Sequence, residues 1–440
     1  MFFQSLIDWK HVYIDMYYKN VFSNVLNQTV KIIFKFLVSV LVARAVGPSK
    51  YGEISFFLLV FGLISNFGHF GINNSIAYTS KHSRETLNEQ FCINASYLLL
   101  NISFWALVVC IMDNYNLIFI DYSHAILALG VLYILINYLI NALEAYYIAQ
   151  EKLYISNQYM MRGNVLGIIL VVILFVFKRL SFISYIIILI IELMISCIFL
   201  YWHSGFQYHF LIKKDFLAAE FKFGNIVFWA LLFATLIYRS DQIMIKMIDG
   251  TELLGIYSIA VSIAELILFI PNCFGNALIG RLLNASKEQQ ISVSCTTTRI
   301  CFFLCSIIAV IGILFAPVVV YVYGQAYSRC VTSMRILFMG VSVVSIAKTI
   351  SNFYIISGKP SIHLATVFAC FCVNILLNFL LIPKMKIEGA ALASSISYLL
   401  YSLIYIILFH FKEKVNLKAI FLLSLEDIRI AKLYLKNNYL

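Results

Sequence analysis

From Asn24 to Phe411 the chain is a succession of apolar runs, most of them about twenty residues long. A helix of that length crosses the hydrocarbon core of a bilayer, and it satisfies every backbone polar group within the segment. Twelve spans are predicted, over 24–46, 52–77, 90–112, 122–148, 155–177, 182–202, 223–248, 252–282, 293–322, 330–357, 360–382 and 388–411. A composition of 62% hydrophobic and 12% charged residues over 440 positions excludes a soluble domain of this size. The runs do not alternate with period two, which excludes a membrane β-barrel. The expectation is an all-α polytopic membrane protein with 12 transmembrane helices. The first 20 residues mix acids, bases and aromatics without an apolar core or a small-residue cleavage site, so no cleaved signal peptide is expected.

A formal net charge of +11 would suggest nucleic acid as the partner of a soluble protein. Here it follows the positive-inside rule instead. With the N-terminus in the cytoplasm, eighteen lysines and arginines fall in cytoplasmic segments and eight on the other side, which places both termini inside. Lys178-Arg179 is a local exception. The ten cysteines form no C-x-x-C pair and lie mostly inside apolar runs, so neither disulfides nor a metal site is expected.

His203 to Phe221 is the one long polar break. It divides the chain into a cytoplasmic amphipathic N-terminal segment (1–23), an N-lobe (24–202), a cytoplasmic linker (203–222), a C-lobe (223–411) and an interfacial or cytoplasmic tail (412–440). The lobes carry matching marks. Gly47-x4-Gly52-x2-Ser55 corresponds to Gly250-x4-Gly255-x2-Ser258 at an offset of 203, and Asn73 corresponds to Asn276. Tyr147-Ile-x3-Lys152 corresponds to Tyr354-Ile-x3-Lys359 at an offset of 207. Six spans per lobe is an even number, so the two copies insert with the same orientation, a parallel repeat about an axis along the membrane normal.

Ionisable residues within spans are the informative ones, because a cation at the bilayer centre costs about 2.5–3.5 kcal/mol. Span one carries Lys31 and Lys35 on a polar stripe with Asn24, Gln28 and Ser39. Span two has Gly62, Asn66, His69 and Asn73 at helical spacing. Span four has Asn137, Asn141 and Glu144, and span ten has Ser345, Lys348 and Asn352. Span seven has Arg239 beside Asp241. Span eight has Glu265, Asn272 and Asn276, with Pro271 expected to kink it. Such faces avoid lipid and are expected to converge on one aqueous cavity between the lobes.

The candidate substrate-binding residues are Lys31, Lys35, Arg239, Lys348, Asn66, Asn73, Asn276 and Asn352. The deepest charges are mostly positive, which suits a phosphate-bearing anion. The plainer reading is internal ion pairing: Arg239 with Asp241 or Glu265, and Lys348 with Glu144. Asp241, Glu265 and His69 are the candidates for charge organisation or ion coupling. Asn374 and Asn378, one turn apart in span eleven, are expected to hydrogen-bond between helices. The many Phe and Tyr residues are expected to face lipid and the interfaces. No phosphate-binding loop, dinucleotide fingerprint, zinc-protease or nucleophile-elbow motif is present. No extramembrane segment is large enough to house one, so neither a catalytic residue nor a cofactor is expected.

Ala43-Arg44-Ala45-Val46-Gly47-Pro48-Ser49-Lys50-Tyr51-Gly52 resembles the A-R-x-L-G-P-x-x-[FY]-G signature of the polysaccharide transporters. Asp241-Gln242-Ile243-Met244-Ile245, followed by Gly255-Ile256-Tyr257-Ser258-Ile259-Ala260, is similar to that family's D-x-[IV]-[MIL]-[IL]…G-x-Y-[SA]-x-A stretch. Glu388-Gly389-Ala390-Ala391-Leu392-Ala393 resembles its G-x-x-G-A-A-x-A turn, with Lys386 where the first glycine is usual. The resemblance implies an O-antigen flippase of the Wzx type, within the multidrug/oligosaccharide-lipid/polysaccharide exporter superfamily. Such a protein carries an undecaprenyl-pyrophosphate-linked repeat unit across the bacterial inner membrane by alternating access through a cationic cavity. It implies membrane lipid, a polysaccharide polymerase and a chain-length regulator as partners, and no nucleic acid. Related murein-precursor flippases usually have fourteen spans, and drug/cation antiporters favour acidic sites. An antiporter is the alternative function. A polysaccharide polymerase is the further one, but it needs a large outer loop that this chain lacks.

Overall fold

Sixty-six consecutive residues, Phe2–Phe67, form α1. Unbroken, such a helix would measure about 100 Å. It is broken at Gly47, whose φ of 76° and ψ of 172° lie outside the helical region, and Pro48 starts the second arm. Proline costs little there, since the first N–H of a helix has no partner in any case. This computed structural model describes residues 2–115, 118–283 and 286–421. Side chains are described from Leu26 onward, save at 77–78, 81–82, 223, 226–227, 276–277, 279–281 and 283.

The second arm stops at a turn where Phe70 and Gly71 have positive φ, and α2 (Ile72–His82) resumes beyond it. The single polar face expected along span two is therefore split. α3 (Leu87–Asn114) opens with a capping box, Thr86 and Glu89 each accepting from the other's backbone N–H. α4 (His124–Ala149), α5 (Leu153–Val176) and α6 (Phe182–Ser204) follow. α7 (Lys214–Asp249) begins inside the polar break and runs on through span seven.

Span eight is not one helix but α8 (Thr251–Ala264), a 3₁₀ turn (Glu265–Leu268) and α9 (Phe269–Leu283). Pro271 explains the turn: it lacks the N–H that would bond to Ile267 and its ring crowds that carbonyl, so the preceding turn tightens. α10 (Lys287–Phe315), α11 (Val318–Tyr323) and α12 (Cys330–Ile356) come next. α13 (Pro360–Lys412) is broken at Lys386 into two arms, and α14 (Leu417–Phe421) packs its buried Ile420 in the described part of the tail. Residues 422–440 lie outside the described residues.

Among the described residues eight helices are long and apolar enough to cross a membrane, α13 counting once although it has two arms. The arms of α1 and the 36-residue α7 are the other segments expected to span. The helices form two compact units, Met1–Phe228 and Trp229–Leu440, and the boundary falls inside α7.

The repeat expected from the sequence is written in the backbone. Gly250, like Gly47, has positive φ and extended ψ (87°, −175°) where span seven meets span eight. α4 and α12 end in the same Schellman cap. Lys152 N donates to Tyr147 O at 2.8 Å, and Lys359 N to Tyr354 O at 2.9 Å. A positive-φ residue precedes each lysine, Glu151 in one unit and Gly358 in the other.

The aromatics depart from expectation. Phe177, Trp202, Tyr321 and Phe411 are exposed, but Phe56, Phe57, Phe61, Phe119, Tyr138, Tyr257, Tyr354 and Phe409 are almost completely buried. Lipid tails are as apolar as the side chains, so helices associate through close packing rather than the hydrophobic effect, and rings supply contact area. The buried tyrosines also cap carbonyls: Tyr122 Oη donates to Glu53 O at 2.7 Å, and Tyr147 Oη to Leu200 O at 3.0 Å.

Candidate functional site

Among the described residues, most of the intramembrane charges gather in one cluster in each unit. In the first, α1 lies against α5. Asn27 Nδ2 donates to Asn157 Oδ1 at 2.8 Å, and one turn on Lys31 Nζ lies 3.9 Å from Met160 Sδ. Lys31 is half-buried, whereas Gln28 and Lys35 are exposed. The stripe on span one thus straddles the edge of the helix packing. Span one contributes no acid to Lys31, but Glu144 of α4 and Glu192 of α6 are the charges that act on it. Room for Glu192 comes from α5: a Cβ at Gly167 would sit 2.3 Å from Glu192 Oε2, and one at Gly163 2.1 Å from Ser196 Oγ. These glycines four residues apart let α5 and α6 approach closely. Two acids from other helices thus bear on Lys31, although span one itself holds none. Glu192 was legible as the only carboxylate of span six, by the same rule that picked out Glu144.

Four other candidates lie in the first unit. Asn66 is exposed and folds back on Gly62 O at 2.8 Å. His69 is buried by the turn that splits span two; its Nδ1 accepts from Gly71 N at 3.1 Å and its ring meets Tyr138 edge to face. Asn73 keeps both amide atoms buried without a hydrogen-bond partner among the described residues. Lys35 presents its side chain at the unit surface.

In the second unit Arg239 of α7 forms a two-pronged ion pair with Glu265, its Nη1 and Nη2 donating to Oε1 and Oε2 at 2.8 and 2.9 Å. Both side chains retain some exposure, 30% and 20%. The parallel fork matches a carboxylate in charge and geometry. Of the two pairings open to Arg239, the hydrogen-bonded one is with Glu265. Asp241 is 1% exposed and saturated: it accepts from Tyr257 Oη at 2.6 Å, Ser394 Oγ at 2.9 Å and Gln242 N at 2.7 Å. It ties α7 to α8 and to the second arm of α13. Ser240 Oγ donates to Asn374 Oδ1 at 2.7 Å and Asn378 Nδ2 to the same oxygen at 2.9 Å, so this asparagine pair does serve interhelical hydrogen bonding.

Glu265 is the acid that acts on Lys348 of α12, without a hydrogen bond to it. The Lys348 Nζ donates to Asn272 Oδ1 at 2.9 Å and lies 5.5 Å from the centre of the Tyr238 ring. Both partners are neutral, and the ring face contributes a cation–π attraction of about 0.5–2 kcal/mol. Asn352, one turn on, donates to Lys348 O at 3.2 Å and packs against Gly275. The side chain of Asn276 lies outside the described residues.

The family profile described as "Polysaccharide biosynthesis protein" matches residues 17–284. The chain belongs to that family. A second profile, MatE, matches residues 226–380 of this chain. Over 379 residues it is 23% identical to the capsular polysaccharide biosynthesis protein CapF of Staphylococcus aureus, covering 82% of this chain and 91% of the relative. The lipid II flippase MurJ, in an inward closed conformation, is similar in structure with a TM-score of 0.72 at 16% identity, covering 90% of this chain and 89% of that one. An inward-facing multidrug resistance transporter of the MATE family, in the MOP superfamily, gives 0.70 at 12% identity, covering 84% and 92%. A point mutant of the Vibrio cholerae MATE transporter VcmN gives 0.61 at 15% identity, covering 92% and 97%. At these identities the likeness establishes the fold: this family member is a multi-pass membrane protein built on the two-lobe transporter plan.

Proposed function

We propose that this protein is a flippase that carries an undecaprenyl-pyrophosphate-linked oligosaccharide from the inner to the outer leaflet of the bacterial inner membrane. Its two lobes alternate in exposing the site, with both termini in the cytoplasm. The observation that carries the reading is Lys348, a cation within a spanning helix whose contacts are a neutral amide and a ring. A cation kept in a membrane without an acid in hydrogen-bond contact is stabilised when an anion arrives. Membership of a polysaccharide biosynthesis family supports the choice of a glycan carrier, as do the relative CapF and the fold shared with a lipid II flippase.

In this reading Lys348 and Lys35 attract the pyrophosphate. Arg239 is held in place by Glu265 and adds its remaining field. Asn66, Asn73, Asn276 and Asn352 meet polar headgroup or sugar. Lys31 is balanced by Glu144 and Glu192 and acts with them as a charge-organising centre, a role in which Asp241 and His69 are fixed parts of the wall. Replacing Lys348 by Ala should abolish surface polysaccharide in cells that depend on this protein, with the protein still inserted. In proteoliposomes it should abolish flipping of the lipid-linked oligosaccharide. Lys348→Arg should retain part of both. Undiminished flipping by Lys348→Ala would overturn the pyrophosphate assignment.

The first unit favours one competing reading. Two carboxylates around Lys31 make that cluster acidic, as a drug/cation antiporter would use it. An antiporter would lower the accumulation of organic cations in cells, with loss of that effect in Glu192→Gln and no dependence on Lys348.

A further inference from the structure

Glu220 lies in α7 three residues before span seven begins, and its side chain is completely buried. Its Oε1 accepts from Thr79 Oγ1 of α2 at 2.9 Å and from Asn94 Nδ2 of α3 at 3.2 Å. Its Oε2 is buried with no hydrogen-bond partner among the described residues, and so is Asn94 Oδ1. Asn94 Nδ2 also donates to Tyr146 Oη of α4 at 2.9 Å. Among the described residues the groups facing Glu220 are thus Thr79, Asn94 and Tyr146, none a cation, and Tyr146 is the titratable one. The side chains of Lys81 and His82 on α2 lie outside the described residues. An ionised carboxylate buried with half its lone pairs empty and no counter-charge costs several kcal/mol. Two acceptor oxygens of the site, Glu220 Oε2 and Asn94 Oδ1, thus lack a donor among the described residues.

We propose that Glu220 is a proton-binding site, neutral while the start of α7 is docked on α2 and α3, and ionised when that segment lifts and admits water. A proton fits better than a metal cation, because Thr79 and Asn94 turn donors toward the carboxyl and would repel one. Burial pushes the Glu220 carboxyl up to about 7, within reach of cytoplasmic pH. The docking it controls is tight: Gly71 and Gly224 meet backbone to backbone, since a Cβ on Gly224 would lie 2.6 Å from Gly71 O. Phe221 stands edge-on to Tyr97, and Phe228 to Phe67. That the proton gates transport rests on the flippase reading; that it binds does not.

The test is an infrared pH titration of the whole protein in lipid nanodiscs, wild type against Glu220→Gln, in sodium and in choline buffer. The expected result is a protonated-carboxyl C=O band that disappears with a midpoint near pH 7, is absent from Glu220→Gln, and is the same in both buffers. Melting of the wild type should fall as pH rises from about 5 to 8, because the folded state holds a proton that the unfolded state has released; Glu220→Gln should lack that slope. Absence of the band at pH 6 would overturn the proposal, and displacement by sodium would replace the proton with a metal cation. If Glu220→Gln folds poorly, Thr79→Val serves instead: it removes a bond to the ionised form and should move the midpoint upward, an unchanged midpoint counting against the site. Polysaccharide export, scored separately in cells, tells failure of the flippase reading from failure of proton binding.

Discussion

Gly47 and Gly250 share one backbone conformation, with φ of 76° and 87° and ψ of 172° and −175°, although 203 positions separate them. Each sits where the first helix of its unit turns into the second. The repeat thus shows in the hinge geometry, where sterics leave few alternatives, although most side chains around the two glycines differ.

That conformation is closed to residues with a Cβ, and no atom lies within 4 Å of where a Cβ would be built at either glycine. Substitution therefore tests backbone strain without a clash. Gly47→Ala and Gly250→Ala should each destabilise by about 1–3 kcal/mol, and the two effects should add because the sites belong to separate units. Thermal melting of the single and double variants in detergent checks this. A neutral result at either site would show that its hinge relaxes.

The Arg239–Glu265 pair should behave as a unit. Removing either partner leaves a half-buried charge, at a cost of roughly 2–3 kcal/mol, below the ~3–5 of a fully buried pair because both side chains keep some exposure. Glu265→Gln should therefore lower the melting temperature, while Arg239→Met with Glu265→Met should recover much of the loss. A double-mutant cycle on melting and expression measures the coupling.

Between α5 and α6 the prediction separates two glycines in one motif. At Gly163 a Cβ would meet the short Ser196 side chain and, at 3.0 Å, the backbone oxygen of Glu192, which cannot swing away. Gly163→Val should cost about 1–3 kcal/mol through overpacking. At Gly167 the obstacle is the far end of the Glu192 side chain. Gly167→Ala should melt near the wild type but displace Glu192, so its effect should show in transport rather than in melting.

What could be read from the residues was local. Apolar length marked the spans, and the cost of a charge in lipid marked Lys31, Arg239, Glu265 and Lys348. Partners across helices were not legible, because they depend on packing: Glu192 fits against α5 only where Gly167 leaves room, and Asn272 reaches Lys348 from a helix reset by Pro271. The break at Phe70–Gly71 was hidden for the same reason. An unremarkable His-Phe-Gly becomes a turn there because Tyr138 Oη and Trp105 Nε1 reach Ile64 O and Gly68 O, taking up carbonyls at the helix end. Glu220 falls in the segment expected as a linker, where neighbours such as Ala218, Ala219 and Phe221 do not by themselves foretell complete burial.

Lys386 offers the sharpest stability test. It joins the two arms of α13 with φ of 53° and ψ of −130°, the mirror image of the extended region, which glycine enters freely and lysine does not. The transporters that this turn resembles usually have glycine there. Three residues on, Gly389 packs so closely that a Cβ would stand 2.4 Å from Leu381 O, so the chain has little freedom to relieve the strain by shifting. Lys386→Gly should therefore stabilise the protein. The gain is about 1–3 kcal/mol from released strain, reduced by roughly 0.5–1 for the greater freedom of an unfolded glycine. Lys386→Ala removes the same charge and keeps the strain, so it should melt like the wild type. If both variants rise together, the gain comes from the lost charge, and the turn is not strained.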